Sequence, residues 1–272
     1  MAKSALEMAV LDAELRQLDM PLRAYLGGVR ERVISGVSVG VCSDIPQLLS
    51  AVESRLAEGY QRLKLKIRPG WDVEPVKEVR REFGWELPLQ VDANTAYARG
   101  DEQLLSRLDN YDLLLLEQPF APDDLLAHAD LADRVRTPIC LDESITSCRD
   151  AGLAVRVGAC SVINIMPGRV GGYLEARRIH DFAWGAGVQV WCGGLCETGI
   201  GRAGNLALAS LPGFTIANDI SASRRYFDRD LTAPFEVEDG LIPVPTGSGL
   251  GVEVDTEALE DFTVESIRLA GT

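Results

Sequence analysis

From residue 35 onward the chain alternates between short apolar runs and longer stretches whose apolar positions recur at three- and four-residue spacing. The short runs predict strands at SGVSVGV (35–41), RLKLKI (62–67), PLQVDA (88–93) and LLLLEQP (113–119). Four more follow at PICLDES (138–144), CSVINIM (160–166), VQVWCG (188–193) and FTIAND (214–219). Between them, segments such as DIPQLLSAVESRLAEGY and GGYLEARRIHDFAWGAG read as amphipathic helices. Eight strands and seven helices in a repeat of about 25 residues imply an α/β fold with a parallel sheet, and that strand number favours a TIM-type (β/α)7β barrel. The rival is a doubly wound open sheet. It is expected to place a glycine-rich phosphate loop after its first strand, and SVGVCSDIP is not one.

The flanks fall outside the repeat. Residues 5–27 predict a helix and a short turn that stop at Gly27-Gly28. Residues 235–272 predict a hairpin in FEVEDGLIPVPTGSGLGV and extended ends that include TVESIRL. The expected organisation is a barrel over 35–230, with 1–34 and 231–272 packed against it or belonging to a second small domain.

Composition narrows the function. The 272 residues suit one large domain, and 46% hydrophobic content supports a substantial core. A net charge of −14 with acids spread along the chain argues against nucleic acid or an anionic membrane as partner, since both need a basic face. No apolar run is long enough for a membrane span, and the N-terminus has no apolar signal core. None of the six cysteines makes a CxxC pair, and Cys140, Cys160 and Cys192 lie in or beside apolar runs. They read as buried free thiols of a protein in a reducing cytoplasm.

Polar residues gather at the C-terminal ends of consecutive strands: Lys64 and Lys66, then Asp92 and Asn94, then Glu117, then Asp142 and Glu143. Asp92, Glu117 and Asp142 stand one βα repeat apart, which in a barrel sets three carboxylates side by side on the rim where active sites of this fold lie. A lone acid after a strand is ordinarily a helix N-cap or a loop residue. Three at one register would repel strongly unless a cation neutralises them or some are protonated, and an all-oxygen set suits Mg²⁺ or Mn²⁺. Lys64 and Lys66 point to one side of their strand. Crowding by each other and by a cation is expected to depress their pKa toward that of a general base. Two solvated lysines on an exposed edge strand are the alternative. His128 and His180 fall in helical stretches, facing outward or half-buried, and read as structural; Asp219 at the end of the eighth run reads as a cap for the following segment.

The motifs KLKI (64–67), VDAN (91–94), LEQP (116–119) and LDES (141–144) resemble the enolase superfamily, muconate-lactonizing-enzyme subgroup. PGRVGG (167–172), EARRIHD (175–181), VWCGG (190–194), ETGIGRAGN (197–205) and PVPTGSGLGV (243–252) are similar to its o-succinylbenzoate synthase and N-acylamino acid racemase branch. The resemblance covers nearly the whole chain. It implies abstraction of a proton α to the carboxylate of a small-molecule substrate, with Mg²⁺ on Asp92, Glu117 and Asp142 stabilising the enediolate. It further implies Lys66 as acid/base, Lys64 tuning it, Asn94 and Glu143 supporting the metal, and Gly193, Gly194, Leu195 and Glu197 lining the substrate pocket.

Two departures from the family pattern matter. The family's second catalytic lysine falls at Met166, in Asn164-Ile165-Met166-Pro167-Gly168-Arg169. A racemase needs a proton-transfer group on each face of the carbon, so racemisation is expected to suffer severely. A syn elimination needs only Lys66, although the lost charge would cost about 10²–10⁴ in rate. The resemblance also implies a capping domain before residue 1, so 1–34 and the C-terminal return read as remnants of that cap. A lid of that kind excludes water and sets specificity. Apolar surface on helix 5–18 and the tail, normally packed against such a cap, favours a homo-oligomer.

Overall fold

The protein is described by a computed structural model covering residues 1–267; Arg268 and Leu269 of the expected extended end lie outside the described residues. The strands are β1 (Arg32–Ile34), β2 (Gly36–Val39), β3 (Arg62–Lys66), β4 (Leu89–Asp92), β5 (Leu116–Glu117), β6 (Ile139–Leu141), β7 (Val162–Ile165), β8 (Gln189–Cys192) and β9 (Leu241–Pro243). β2 to β8 lie side by side in chain order as one curled parallel sheet.

Four crossover helices begin at a side-chain cap, whereas Tyr173–Gly185 begins at Gly172 without one. Asp44 accepts from the amide of Gln47 at 2.9 Å, and Pro46 sits in the first turn of the helix Ile45–Ala57. Asp124 and Ser147 cap Leu125–Ala132 and Cys148–Arg156 in the same way. These caps start each helix as its strand ends. The helix therefore lies back on the sheet, and its apolar stripe packs on the outward strand residues. Leu63 and Leu65 thus meet Val52 and Val76, whereas Leu115, Cys140, Val162 and Trp191 form a separate cluster inside the curl.

Among the described residues seven strands form the parallel sheet, not the eight expected. The run at 214–219 makes only isolated bridges, Val190 with Phe214 and Ser35 with Asn218. Its hydrogen bonds nevertheless reach both edges of the sheet. Asp219 N donates to Cys192 O at 2.9 Å on one side, and Gly36 N donates to Asn218 O at 2.7 Å on the other. The segment is irregular because the Asn218 side chain supplies a bond that a ladder would take from the backbone: its Oδ1 accepts from Cys192 N at 2.8 Å.

The flanks also differ from expectation. The tight turn at Asp239-Gly240 forms, with Glu238 and Leu241 exchanging backbone bonds, but the ladder partner of β9 is β1, antiparallel, from the other end of the chain. A helix at Thr256–Phe262, capped by Asp255, stands where extended chain was expected. At the N-terminus the helices Ala2–Gln17 and Leu22–Leu26 bury Leu11, Leu15, Leu22 and Leu26 in one cluster with Ile242, Val244 and Leu250. Leu6, Val10 and Leu18 remain exposed. No helix among the described residues is long and apolar enough to cross a membrane.

His128 and His180 are not on outward or half-buried faces. Both are fully buried, each with two hydrogen-bonded ring nitrogens. His128 Nε2 accepts from Phe120 N while Nδ1 donates to Asp124 O. His180 accepts from Gly213 N, donates to Asp181 and stacks on Phe214 with ring centroids 5.3 Å apart. Burial holds the pKa of both below the usual imidazole value. Among the described residues all six cysteines are free, with Cys140, Cys160 and Cys192 buried.

Candidate active site

The ladder register decides which side chains meet. Lys66 pairs with Asp92, and Asp92 pairs with Glu117, so β3, β4 and β5 end at one level. Side chains alternate, so Arg62, Lys64 and Lys66 all leave β3 on its inner side. Arg62 and Lys64 are buried, while the Lys66 side chain, one step nearer the rim, is 31% exposed. Lys64 Nζ sits among three carboxylates, 3.1 Å from Asp92, 3.0 Å from Glu117 and 2.6 Å from Asp219. Lys66 Nζ donates to Asp92 and to Asn94 Oδ1, each at 2.6 Å. Asn94 in turn donates to Glu143 at 3.0 Å.

Asp142 lies on the same rim but faces another cation. Both terminal nitrogens of Arg169 donate to its carboxylate, a two-pronged pair that fixes the guanidinium plane. Gln118, with φ +38°, braces the gap between Glu117 and Asp142: its Oε1 accepts from Asp142 N at 2.9 Å and its Nε2 donates to Ser144 Oγ at 2.8 Å. The second oxygen of Glu117 accepts from Asn164 Nδ2 at 2.8 Å.

These contacts set the charges. Burial pulls the Lys64 ammonium down, but Asp219, Glu117 and Asp92 outweigh it and its pKa stands well above the usual value. The depressed Lys64 pKa expected from sequence is therefore corrected, because the lysine is enclosed by carboxylates. Asp92 is held low by Lys64 and Lys66 in spite of its burial. Glu117 is driven well up by burial and by Asp92. Burial also lifts Asp142, to about 6, with Arg169 opposing and Glu143 assisting. Asp219 is burdened by burial and still held below the carboxylate range by Lys64 and Arg62.

Among the described residues no three His, Cys, Asp or Glu side chains form a group arranged to hold a metal ion; Asp92, Glu117 and Asp142 each face an ammonium, a guanidinium or an amide. Their chemistry nonetheless fits a hard divalent cation. The donors are all oxygen, burial and neighbouring carboxylates hold Glu117 and Asp142 above their normal pKa, and the adjacent Glu143 Oε2 and Asn164 Oδ1 are buried with no hydrogen-bond partner.

The far side of the rim is different. Met166 is buried at the end of β7. It lines an apolar cavity of about 510 Å³ with Met8, Tyr173, Leu195 and Cys196. Gly193 and Gly194 let the chain come close. An added Cβ would lie 2.2 Å from Asn164 Oδ1 at Gly193, and 2.2 Å from the Asp219 carbonyl at Gly194. Leu195 is exposed, and Glu197 turns back to accept from Leu195 N at 2.8 Å and from Asn205 at 3.3 Å. The sequence pattern does not single out Arg62, Asn164 or Arg169 as site residues, and Asp219, which reads there as a cap, stands beside Lys64. The first two were within reach of parity, since Arg62 stands two before Lys64 and Asn164 two before Met166 on inward-facing strands.

A sequence profile described as enolase C-terminal domain-like matches residues 47–258. An N-succinylamino acid racemase from Amycolatopsis sp is 58% identical over 98% of this chain and 73% of its own length. An o-succinylbenzoate synthase from Bacillus subtilis is 47% identical over 97% of this chain and 71% of its own. Among solved structures, an enolase-superfamily member from Listeria innocua superposes with a TM-score of 0.93 at 42% identity, covering 97% of this chain and 71% of that one. A muconate cycloisomerase from Pseudomonas fluorescens gives 0.91 at 26% identity, over 97% and 75%. With its seven parallel strands and its acid-and-lysine rim, the chain belongs to the enolase superfamily.

Proposed function

We propose that the chain is a Mg²⁺-dependent dehydratase of the o-succinylbenzoate synthase type, with Mn²⁺ an acceptable substitute, and that Met166 impairs it. The observation that carries this reading is the asymmetry of the rim: Lys66 is a half-open ammonium on one face, and Met166 is a buried thioether on the other. Bonds from the 214–219 segment to both sheet edges support reading the sheet as a closed (β/α)7β barrel, and so a mouth at this rim.

Asp92, Glu117 and Asp142 would hold the ion, which supplies positive charge where the substrate carboxylate gains electron density. Asn94 and Glu143 would steady Asp92 and Lys66. Lys66 takes the proton from the carbon next to the carboxylate. It then delivers that proton to the hydroxyl leaving from the neighbouring carbon on the same face, so that water departs and a double bond forms. Lys64 remains an ammonium beside Asp92 and Glu117. Arg169 keeps a fixed positive charge beside Asp142, since a guanidinium does not exchange its proton at neutral pH.

A racemase reading is favoured by the 58% identity to an enzyme of that name and opposed by Met166, which cannot carry a proton. Exposed Leu6, Val10 and Leu18 support a homo-oligomer. The test is turnover of the cyclohexadiene carboxylate substrate, followed by ultraviolet absorbance with added Mg²⁺. Slow, Mg²⁺-dependent loss of absorbance is expected. Absence of turnover above background at high enzyme concentration, alongside Mg²⁺-dependent thermal stabilisation, would leave a barrel that binds metal without chemistry.

A further inference from the structure

Lys64 has three anionic neighbours with unequal roles. Asp92 and Glu117 belong to the carboxylate rim. The third, Asp219, comes from the irregular segment that joins the two edges of the sheet, and it is the nearest of the three at 2.6 Å. Asp219 is itself anchored: its other oxygen accepts from Arg62 Nη1 at 2.7 Å, and Arg62 is tied by Nη2 to Ala217 O, also at 2.7 Å. Its backbone is pinned by Cys192 on one flank and by the close approach of Gly194 on the other. Arg62 and Lys64 both lie over the Trp191 ring, 5.3 and 4.8 Å from its centroid. The arrangement is a stack of cation, carboxylate and cation standing on an aromatic floor.

We propose that Asp219 is a positioning residue that holds Lys64 on the inner side of the rim and gives its ammonium a counter-charge independent of Asp92 and Glu117. A divalent cation that recruits those two carboxylates competes with Lys64 for them. With Asp219 in place, Lys64 keeps a partner when Asp92 and Glu117 turn to the ion. Without it, every anion available to a buried ammonium is also a metal ligand, and an uncompensated buried charge is strongly unfavourable. This rests on the metal reading above.

The test is a double-mutant cycle on the full chain with Asp219→Asn and Lys64→Met, read as the Mg²⁺ concentration at half-maximal thermal stabilisation. Asp219→Asn is expected to raise that midpoint about tenfold, Asp219→Glu to restore most of it, and Asp219→Asn to add less than about threefold once Lys64 is Met. A native midpoint in Asp219→Asn, or an equal shift in the Lys64→Met background, overturns the proposal. Should Asp219→Asn not fold, Gly194→Ala, which displaces Asp219 without changing charge, is expected to shift the midpoint in the same direction; an unshifted midpoint again overturns it. If the native chain responds to neither Mg²⁺ nor Mn²⁺, the metal reading has failed. The cycle is then read on metal-free Tm, where non-additive losses sustain Asp219 as the anchor of Lys64 and additive losses overturn it.

Discussion

The two halves of the rim are built from the same repeat and carry opposite chemistry. At the ends of β3 to β6 the inward positions are Lys64, Lys66, Asp92, Glu117 and Asp142, each bonded to a charged or amide neighbour. At the ends of β7 and β8 the corresponding ground is held by Met166, Gly193 and Gly194 beside a largely apolar hollow. The charged half must have its groups at fixed distances, because a buried ion without its partner costs about 3–5 kcal/mol. The apolar half is under no such constraint and can change a side chain for the loss of one function only. A lysine-to-methionine difference from the family pattern is therefore expected to cost less stability at 166 than at 64.

The largest expected break of this contrast is on the charged side. Lys66→Ala should lower Cα proton exchange by about 10²–10⁴-fold while leaving the Mg²⁺-dependent rise in Tm intact, measured by deuterium incorporation and by thermal unfolding. Equal loss of both would move Lys66 from proton transfer to metal support. Met166→Lys comes next and blurs the contrast from the other side. Exchange of N-succinyl amino acids should extend from one enantiomer to both, with a rise of about tenfold or more on the second face. Tm should fall by a few degrees, because the new ammonium enters an apolar site. Unchanged exchange on the second face would show that 166 is not the missing position.

The smallest effect is in pH. His128 and His180 have depressed pKa values, so their contribution to stability is present above the unfolded value near 6.5 and is lost as pH falls below it. Asp142 acts in the opposite sense. Its pKa is raised to about 6, so protonation between 6 and the unfolded value near 3.8 favours the folded state. Mg²⁺ bound at the rim would suppress that compensation, because protons must then displace the ion. The fall in Tm from pH 7 to 5 should therefore be steeper with saturating Mg²⁺ than without, by about 2–4 °C. Parallel curves would place the ion elsewhere.

Much of the fold is legible in the sequence because the strands are compact β-branched or leucine-rich runs and several crossover helices begin at an Asp or Ser cap. Asp92 and Glu117 were legible for the same reason, standing at equal intervals after such runs. What escaped was whatever depended on contacts between distant segments. FTIAND has the composition of a strand, but the Asn218 amide diverts a backbone bond and leaves no ladder. The Lys64 pKa departs from the sequence expectation because Asp219 meets it from a distant segment, and nothing local to either residue announces their contact. The pairing of β9 with β1 joins residues near opposite ends of the chain, and no local pattern specifies it.

The joining segment has a further consequence for the order in which the molecule is made. A chain emerging from the ribosome presents Arg62 and Lys64 early, while the carboxylate they share arrives 157 residues after Arg62. Until residue 219 is delivered, the sheet has two open edges and two basic side chains whose permanent counter-charge has not been synthesised. Of the three carboxylates around Lys64, Asp219 is thus the last to be made. The nascent sheet gains that charge partner at the same step in which its two edges are bonded through 214–219.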